Sequence, residues 1–219
     1  MIPLRDENPR LLFPLFTIVI IIANVAVYLY QVFLPSDLEL QFLYTYGTIP
    51  NNIIHGQNVQ SALTSMFLHG GLLHLLGNML YLWIFGDNIE GICGYFRFLI
   101  FYALCGFIAF FSHFIVDPFS QIPMVGASGA ISGILGAYAR RFPRARVHML
   151  FPLFPFIWIW RTLPIPAAIV LGIWFLMQLF NVFVAGGGGG VAWFAHIGGF
   201  VAGFLLIGKF EKKRYKVYH

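Results

Sequence analysis

Five stretches of this chain are apolar for long enough to cross a lipid bilayer: residues 14–34, 63–86, 95–116, 164–184 and 191–208, with a shorter one at 128–139. A hydrocarbon core about 30 Å thick takes about 20 helical residues to cross. A backbone in lipid has no water for its N–H and C=O groups, so such runs must be helices. With 59% of residues hydrophobic and only 10% charged, the chain lies far outside the range of a soluble domain. The expected fold is an all-α membrane protein, one domain over 1–219, with six helices of which the fourth, 128–139, is short. The first run has no small-residue cleavage pattern and is read as a retained span.

Residues 149–160 are also apolar but are broken by Pro152 and Pro155. They are expected to lie at the interface or to re-enter, with Trp158 and Trp160 at the boundary. Orientation comes from the 13 Lys and Arg residues. They cluster at Arg5 and Arg10, at Arg97, from Arg140 to Arg161, and from Lys209 to Lys216. The loops 35–62, 117–124 and 185–190 hold none, which places them outside and both termini in the cytoplasm by the positive-inside rule. The net charge of +5 is therefore a topology signal beside a lipid bilayer, not a nucleic-acid footprint. Cys93 and Cys105 form no C-x-x-C pair and are read as packing residues.

Chemistry enters with Gly126-Ala127-Ser128-Gly129, a glycine-flanked serine at the start of an apolar segment. Ala195-His196-Ile197-Gly198-Gly199 brings a histidine, and the second run carries His74 and Asn78. At 1.5 Å per residue, Ser128 stands about 18 Å above Arg140 and His196 about 20 Å above Lys209. By the same rise His74 and Asn78 stand about 20 Å and about 14 Å above Asp87. The four residues thus share one layer, in a water-filled cavity open to the outside. Gly129, Gly133 and Ala137 fall on one helix face, and Ala195, Gly199 and Gly203 on another. Two such small-residue ridges let helices approach closely enough for Ser128 to reach a ring nitrogen of His196.

Taken singly, each residue has a plainer reading. A serine in a membrane helix bonds back to its own helix, a histidine bridges neighbours, and an asparagine does the same. Their coincidence in depth favours chemistry instead: Ser128 as nucleophile, His196 as base and then acid, and Asn78 and His74 beside a developing oxyanion. No Asp or Glu lies in that layer, so a dyad rather than a triad is expected. His69 is a structural or cavity residue; His55, His113, His148 and His219 have no assigned role. A metal centre of His69, His74 and His196 lacks both an H-E-x-x-H motif and a carboxylate base, so no metal is expected. The run Gly186 to Gly190, just before the His196 span, is read as a mobile cap over the cavity.

With these motifs the chain resembles the rhomboid intramembrane serine proteases. The resemblance rests on Gly126-Ala-Ser128-Gly129, on His196 with Gly198-Gly199, and on His69-Gly-Gly-Leu-Leu-His74-Leu-Leu-Gly-Asn78, and it extends from about Ser61 to Gly208. It implies a six-helix rhomboid fold in a prokaryotic cell membrane and cleavage of transmembrane protein substrates near small residues. It implies no metal, ATP or other cofactor. The site residues it implies are Ser128 as nucleophile, His196 as general base, and His74 and Asn78 at the oxyanion. Two positions depart from the family pattern. A Trp-Arg pair of the first outer loop is absent near Gln60-Ser61, and Ser132 stands where some members carry a tyrosine packed on the histidine. Orientation of His196 must then come from other contacts. The alternatives are an inactive rhomboid-like protein that binds membrane clients, which would have lost Ser or His, and a transporter or channel, which would more often show repeats or ionisable pairs.

Overall fold

A computed structural model describes residues 2–152, 160–185 and 192–212. In chain order the helices are α1 (Leu15–Val32), α2 (Ser36–Tyr46), α3 (Pro50–Ile54), α4 (Ser61–Thr64), α5 (Leu72–Cys93), α6 (Tyr95–Val116), α7 (Ser128–Arg141), α8 (Ala167–Ala185) and α9 (Trp193–Phe210). A 3₁₀ turn, Ser65–Phe67, follows α4. Four helices are long and apolar enough to cross a membrane, α1, α6, α8 and α9. A fifth span counts if α4 with its 3₁₀ turn is joined to α5 across a 93° bend. Their outward faces carry large apolar side chains such as Ile22, Leu73 and Phe183, the surface a helix presents to lipid. At 14 residues, or about 21 Å, α7 is shorter than a hydrocarbon core is thick.

The second span differs from its expected bounds. Its helix starts at Leu72 rather than at 63, because Gly70 and Gly71 break the run. It continues past Gly86 to Cys93, through two acids that an apolar-run criterion excludes. Each of those acids has a partner. Asp87 meets Arg10 at 2.9 Å and accepts from Asn88. Glu90 is fully buried and accepts from the backbone N–H of Phe16 and Thr17, both at 2.8 Å, and from Thr17 Oγ1 at 2.7 Å. Pro14 gives α1 no side-chain cap, so a carboxylate from α5 satisfies the orphan donors of its first turn and complements its dipole. Gly94, at φ 74°, makes the reversal into α6 where a side chain would be strained.

The all-helical expectation needs one addition. Strands β1 (Ile2–Asp6), β2 (Arg146–Pro152) and β3 (Trp160–Pro166) form an antiparallel sheet in the order β1-β2-β3. In β2, Val147 and Met149 are buried on alternate positions, with partly exposed His148 between them. Residues expected to re-enter or lie flat thus begin as a strand, Met149 opposite Leu163; Pro155 and Trp158 lie outside the described residues. The sheet docks on the far end of α7 from Ser128. Tyr138 donates to Asp6, Asn8 donates to Tyr138 at 2.7 Å, and Asn88 donates to Asp6 at 3.0 Å.

Helix α7 is the hub. It packs most extensively on α9, which also lies along α6. A Cβ at Gly199 would strike the carbonyl of Gly129, and one at Gly203 the carbonyl of Gly133. The expected ridges therefore do meet, with a different rotation. Gly129 and Gly133 give α9 their carbonyls and turn their own Cβ positions to α6, that of Gly129 2.6 Å from Ala109 Cβ and that of Gly133 against Cys105. Such backbone approach permits Cα–H···O contacts along both helices. Cys105 of α6 is a free thiol buried in this packing, and Cys93, at the end of α5, is also free and buried.

Candidate active site

The chain reaches Ser128 along an irregular segment pinned at several points. Thr48 and Met124 exchange backbone hydrogen bonds of 3.0 and 2.8 Å, and Gly126 N–H donates to Ser65 O at 2.9 Å. Thr48 Oγ1 also donates to Ser65 Oγ at 2.8 Å. Gly126 has φ 116°, a conformation that favours glycine, and a Cβ there would lie 2.8 Å from His74 Cε1. Ser128 then opens α7. The first N–H groups of a helix have no intrahelical acceptor, so the serine sits beside oriented, unspent donors.

Ser128 Oγ lies 2.9 Å from His196 Nε2, although 68 positions separate them. Both side chains line a cavity of about 760 Å³, together with His74, Asn78, Trp174 and Gln178. All four residues singled out in the sequence are therefore brought to one place. His74 and Asn78, one turn apart on α5, face the Gly126 backbone: a Cβ there would be 2.9 Å from His74 Nε2 and 3.6 Å from Asn78 Nδ2.

His69 is fully buried and stands behind the site. Its Nε2 is 3.0 Å from Asn78 Nδ2, its ring meets His74 edge-on at 5.1 Å, and its carbonyl accepts from Gln31 at 2.7 Å. His113 lines the cavity, although its sequence position pointed to no role. His55 bonds to the Asn51 carbonyl of α3 and His148 pairs with Glu7 at 2.8 Å; neither lines the cavity. Among the described residues no group of His, Cys, Asp and Glu is arranged to hold a metal ion. His219 and the run Gly186 to Gly190 lie outside the described residues.

Ser132 donates to Ser128 O at 2.6 Å and so makes the back-bond of a helix serine, leaving His196 to other neighbours. The indoles of Trp174 and Trp193 flank the ring at 6.1 and 5.9 Å. Gln178 of α8 completes its contacts, with Oε1 3.0 Å from His196 Nδ1. Sequence inspection missed this glutamine. The available signal was an uncharged polar side chain, one of two with Asn181, within a long apolar run.

Residues 56–212 match the Rhomboid domain family. Over 124 residues the chain is 32% identical to Rhomboid protease GluP of Bacillus subtilis (strain 168), a match covering 57% of this chain and 24% of that protein. It is 36% identical over 97 residues to the mitochondrial Presenilin-associated rhomboid-like protein of Homo sapiens, covering 43% and 26% of the two chains. With RHOMBOID-like protein 1 of Arabidopsis thaliana it shares 30% identity over 185 residues, 78% of this chain and 39% of the relative. The chain thus spans well under half the length of these relatives. The family match covers well over half of the chain itself, and with several helices long and apolar enough to span a bilayer this multi-pass membrane protein belongs to the rhomboid family.

Proposed function

We propose that this chain is an intramembrane serine endopeptidase that cleaves transmembrane protein substrates through Ser128 and His196. The observation that carries the reading is the 2.9 Å contact between Ser128 Oγ and His196 Nε2 inside the cavity. Membership of a family with relatives named as rhomboid proteases supports it. Six helices, α1 and α5 to α9, enter or cross the bilayer on this reading, and α7 is the short one that begins at the depth of the site. On this reading both termini are cytoplasmic and the cavity opens to the outside, which the distribution of the basic residues supports.

Ser128 Oγ attacks the scissile carbonyl carbon while His196 Nε2 takes the hydroxyl proton. The negative charge moves to the carbonyl oxygen. Asn78 Nδ2, His74 and the N–H groups at the start of α7 are the donors placed to meet it. His196 then gives its proton to the leaving amine, which departs and leaves an ester on Ser128. A water, deprotonated by the same ring, hydrolyses that ester and restores the serine. The steps need only these side chains and water.

The test is labelling with a serine-reactive fluorophosphonate and cleavage of a single-span model substrate in detergent. Ser128→Ala and His196→Ala should each abolish cleavage in a folded protein, and the double variant should lose nothing more, because members of one catalytic unit are not additive. Substantial turnover by Ser128→Ala would overturn the assignment. A parent chain that neither labels nor cleaves would favour the client-binding alternative.

A further inference from the structure

A dyad uses one ring nitrogen of its histidine and leaves the question of what holds the other. In this chain the second nitrogen meets a side chain from a third helix. Gln178 is 5% exposed on α8, and its Oε1 lies 3.0 Å from His196 Nδ1. Its Nε2 lies 3.1 Å from the carbonyl oxygen of Trp174, one turn earlier on its own helix.

The two ends of a carboxamide are told apart by their partners. A backbone carbonyl only accepts, so the end facing Trp174 O is the NH₂ group and the end facing His196 is the oxygen. An oxygen acceptor requires a hydrogen on Nδ1. A neutral imidazole with Nδ1–H carries its lone pair on Nε2, and that is the nitrogen 2.9 Å from Ser128 Oγ. The helix backbone of α8 thus orients the amide, the amide selects the tautomer, and the tautomer aims a base at the serine.

We propose that Gln178 is the positioning residue of the Ser128–His196 pair, holding the ring by Nδ1 in the tautomer that accepts the serine proton; the proposal rests on the peptidase reading above. Gln178 supplies the orientation that a triad obtains from its carboxylate, without the countercharge. When His196 becomes an imidazolium, its Nδ1–H donates more strongly to the amide oxygen. The other titratable groups that line the cavity among the described residues are His74 and Tyr81 of α5, His113 of α6 and Asp117 at the end of α6. None of them is hydrogen-bonded to the His196 ring; the ring's partners are Gln178 and Ser128.

Gln178→Met and Gln178→Glu, purified in detergent beside the parent and Ser128→Ala, test this through steady-state cleavage from about pH 5 to about pH 9 and through the rate of fluorophosphonate labelling. Gln178→Met keeps the bulk and removes the acceptor. Its kcat should fall about tenfold, the loss expected for one buried hydrogen bond, with KM little changed and labelling slowed by a similar factor. Gln178→Glu should recover kcat relative to Gln178→Met. By adding a countercharge it should also move the acidic limb of kcat/KM upward by about one pH unit or more.

A residue that only packs α8 on α9 would alter thermal stability and leave that limb in place. Parental kcat and labelling in Gln178→Met, or a parental acidic limb in Gln178→Glu, would overturn the proposal while Ser128→Ala remained inactive. If Gln178→Met fails to fold, the Gln178→Glu profile decides. Turnover by Ser128→Ala would instead bring down the peptidase reading, and this proposal with it.

Discussion

Asn78 shows how a single side chain is prepared for a role in the proposed chemistry. Its Nδ2 gives one hydrogen to His69 Nε2 at 3.0 Å, which leaves the second for an oxyanion forming above Gly126. Asn78→Ala should therefore lower kcat about a hundredfold with a smaller effect on KM, the usual loss for one oxyanion donor. His69→Ala, which frees the Asn78 amide without removing it, should cost less. An unchanged kcat in Asn78→Ala would reduce the residue to a bridge between helices. Ser128, His196, His74 and Asn78 were legible in the sequence because each is chemically out of place in lipid and all four count to one depth. Gln178 was not. A lone glutamine on another span acquires meaning only when α8 packs beside α9, and no spacing rule reports that contact.

At the scale of elements, the approach of α7 and α9 sets the Ser128 to His196 distance. Gly203 is pressed on the carbonyl of Gly133, a backbone atom that cannot swing aside as a side chain can. Gly203→Leu should push the helices apart and lower stability by about 1–3 kcal/mol through overpacking. It should also slow fluorophosphonate labelling, although the variant lies well below the site. Labelling at the parental rate in a folded Gly203→Leu protein would show that this contact does not set the distance. The small-residue faces were readable from their spacing of four. Their rotation was not, since which side of Gly129 and Gly133 meets α9 depends on α6 occupying the other side. Likewise the end of the second span stayed hidden, because the charge on Glu90 reads as a terminus until the first turn of α1 is seen to cover it. The three-stranded sheet has the same cause: β1 pairs with a strand more than 130 residues away, and local patterning carries no record of that.

For the molecule as a whole, the end of α7 remote from the site is tied to the start of the chain through Asp6. Burial, the largest influence, pushes the Asp6 carboxyl from 3.8 to about 6, with Asp87 nearby adding to the rise and the Tyr138 hydroxyl opposing it. A group whose folded pKa is raised binds its proton more tightly in the folded state. Its contribution to stability is complete below pH 3.8 and is lost as pH rises through about 6. Thermal unfolding in detergent should therefore show a Tm falling across that window, and Asp6→Asn, which cannot ionise, should flatten this part of the profile. An identical pH dependence in both proteins would sink the assignment. The hub position of α7 also bears on biosynthesis. Ribosomes add about 5–20 residues per second, so the 68 positions from Ser128 to His196 take roughly 3–14 s to make. On the proposed reading the nucleophile waits that long for its base, while the carbonyls of Gly129 and Gly133 wait for the glycines of α9. If the proposed chemistry holds, a nascent chain is harmless to the neighbours it is inserted among until α9 is in place.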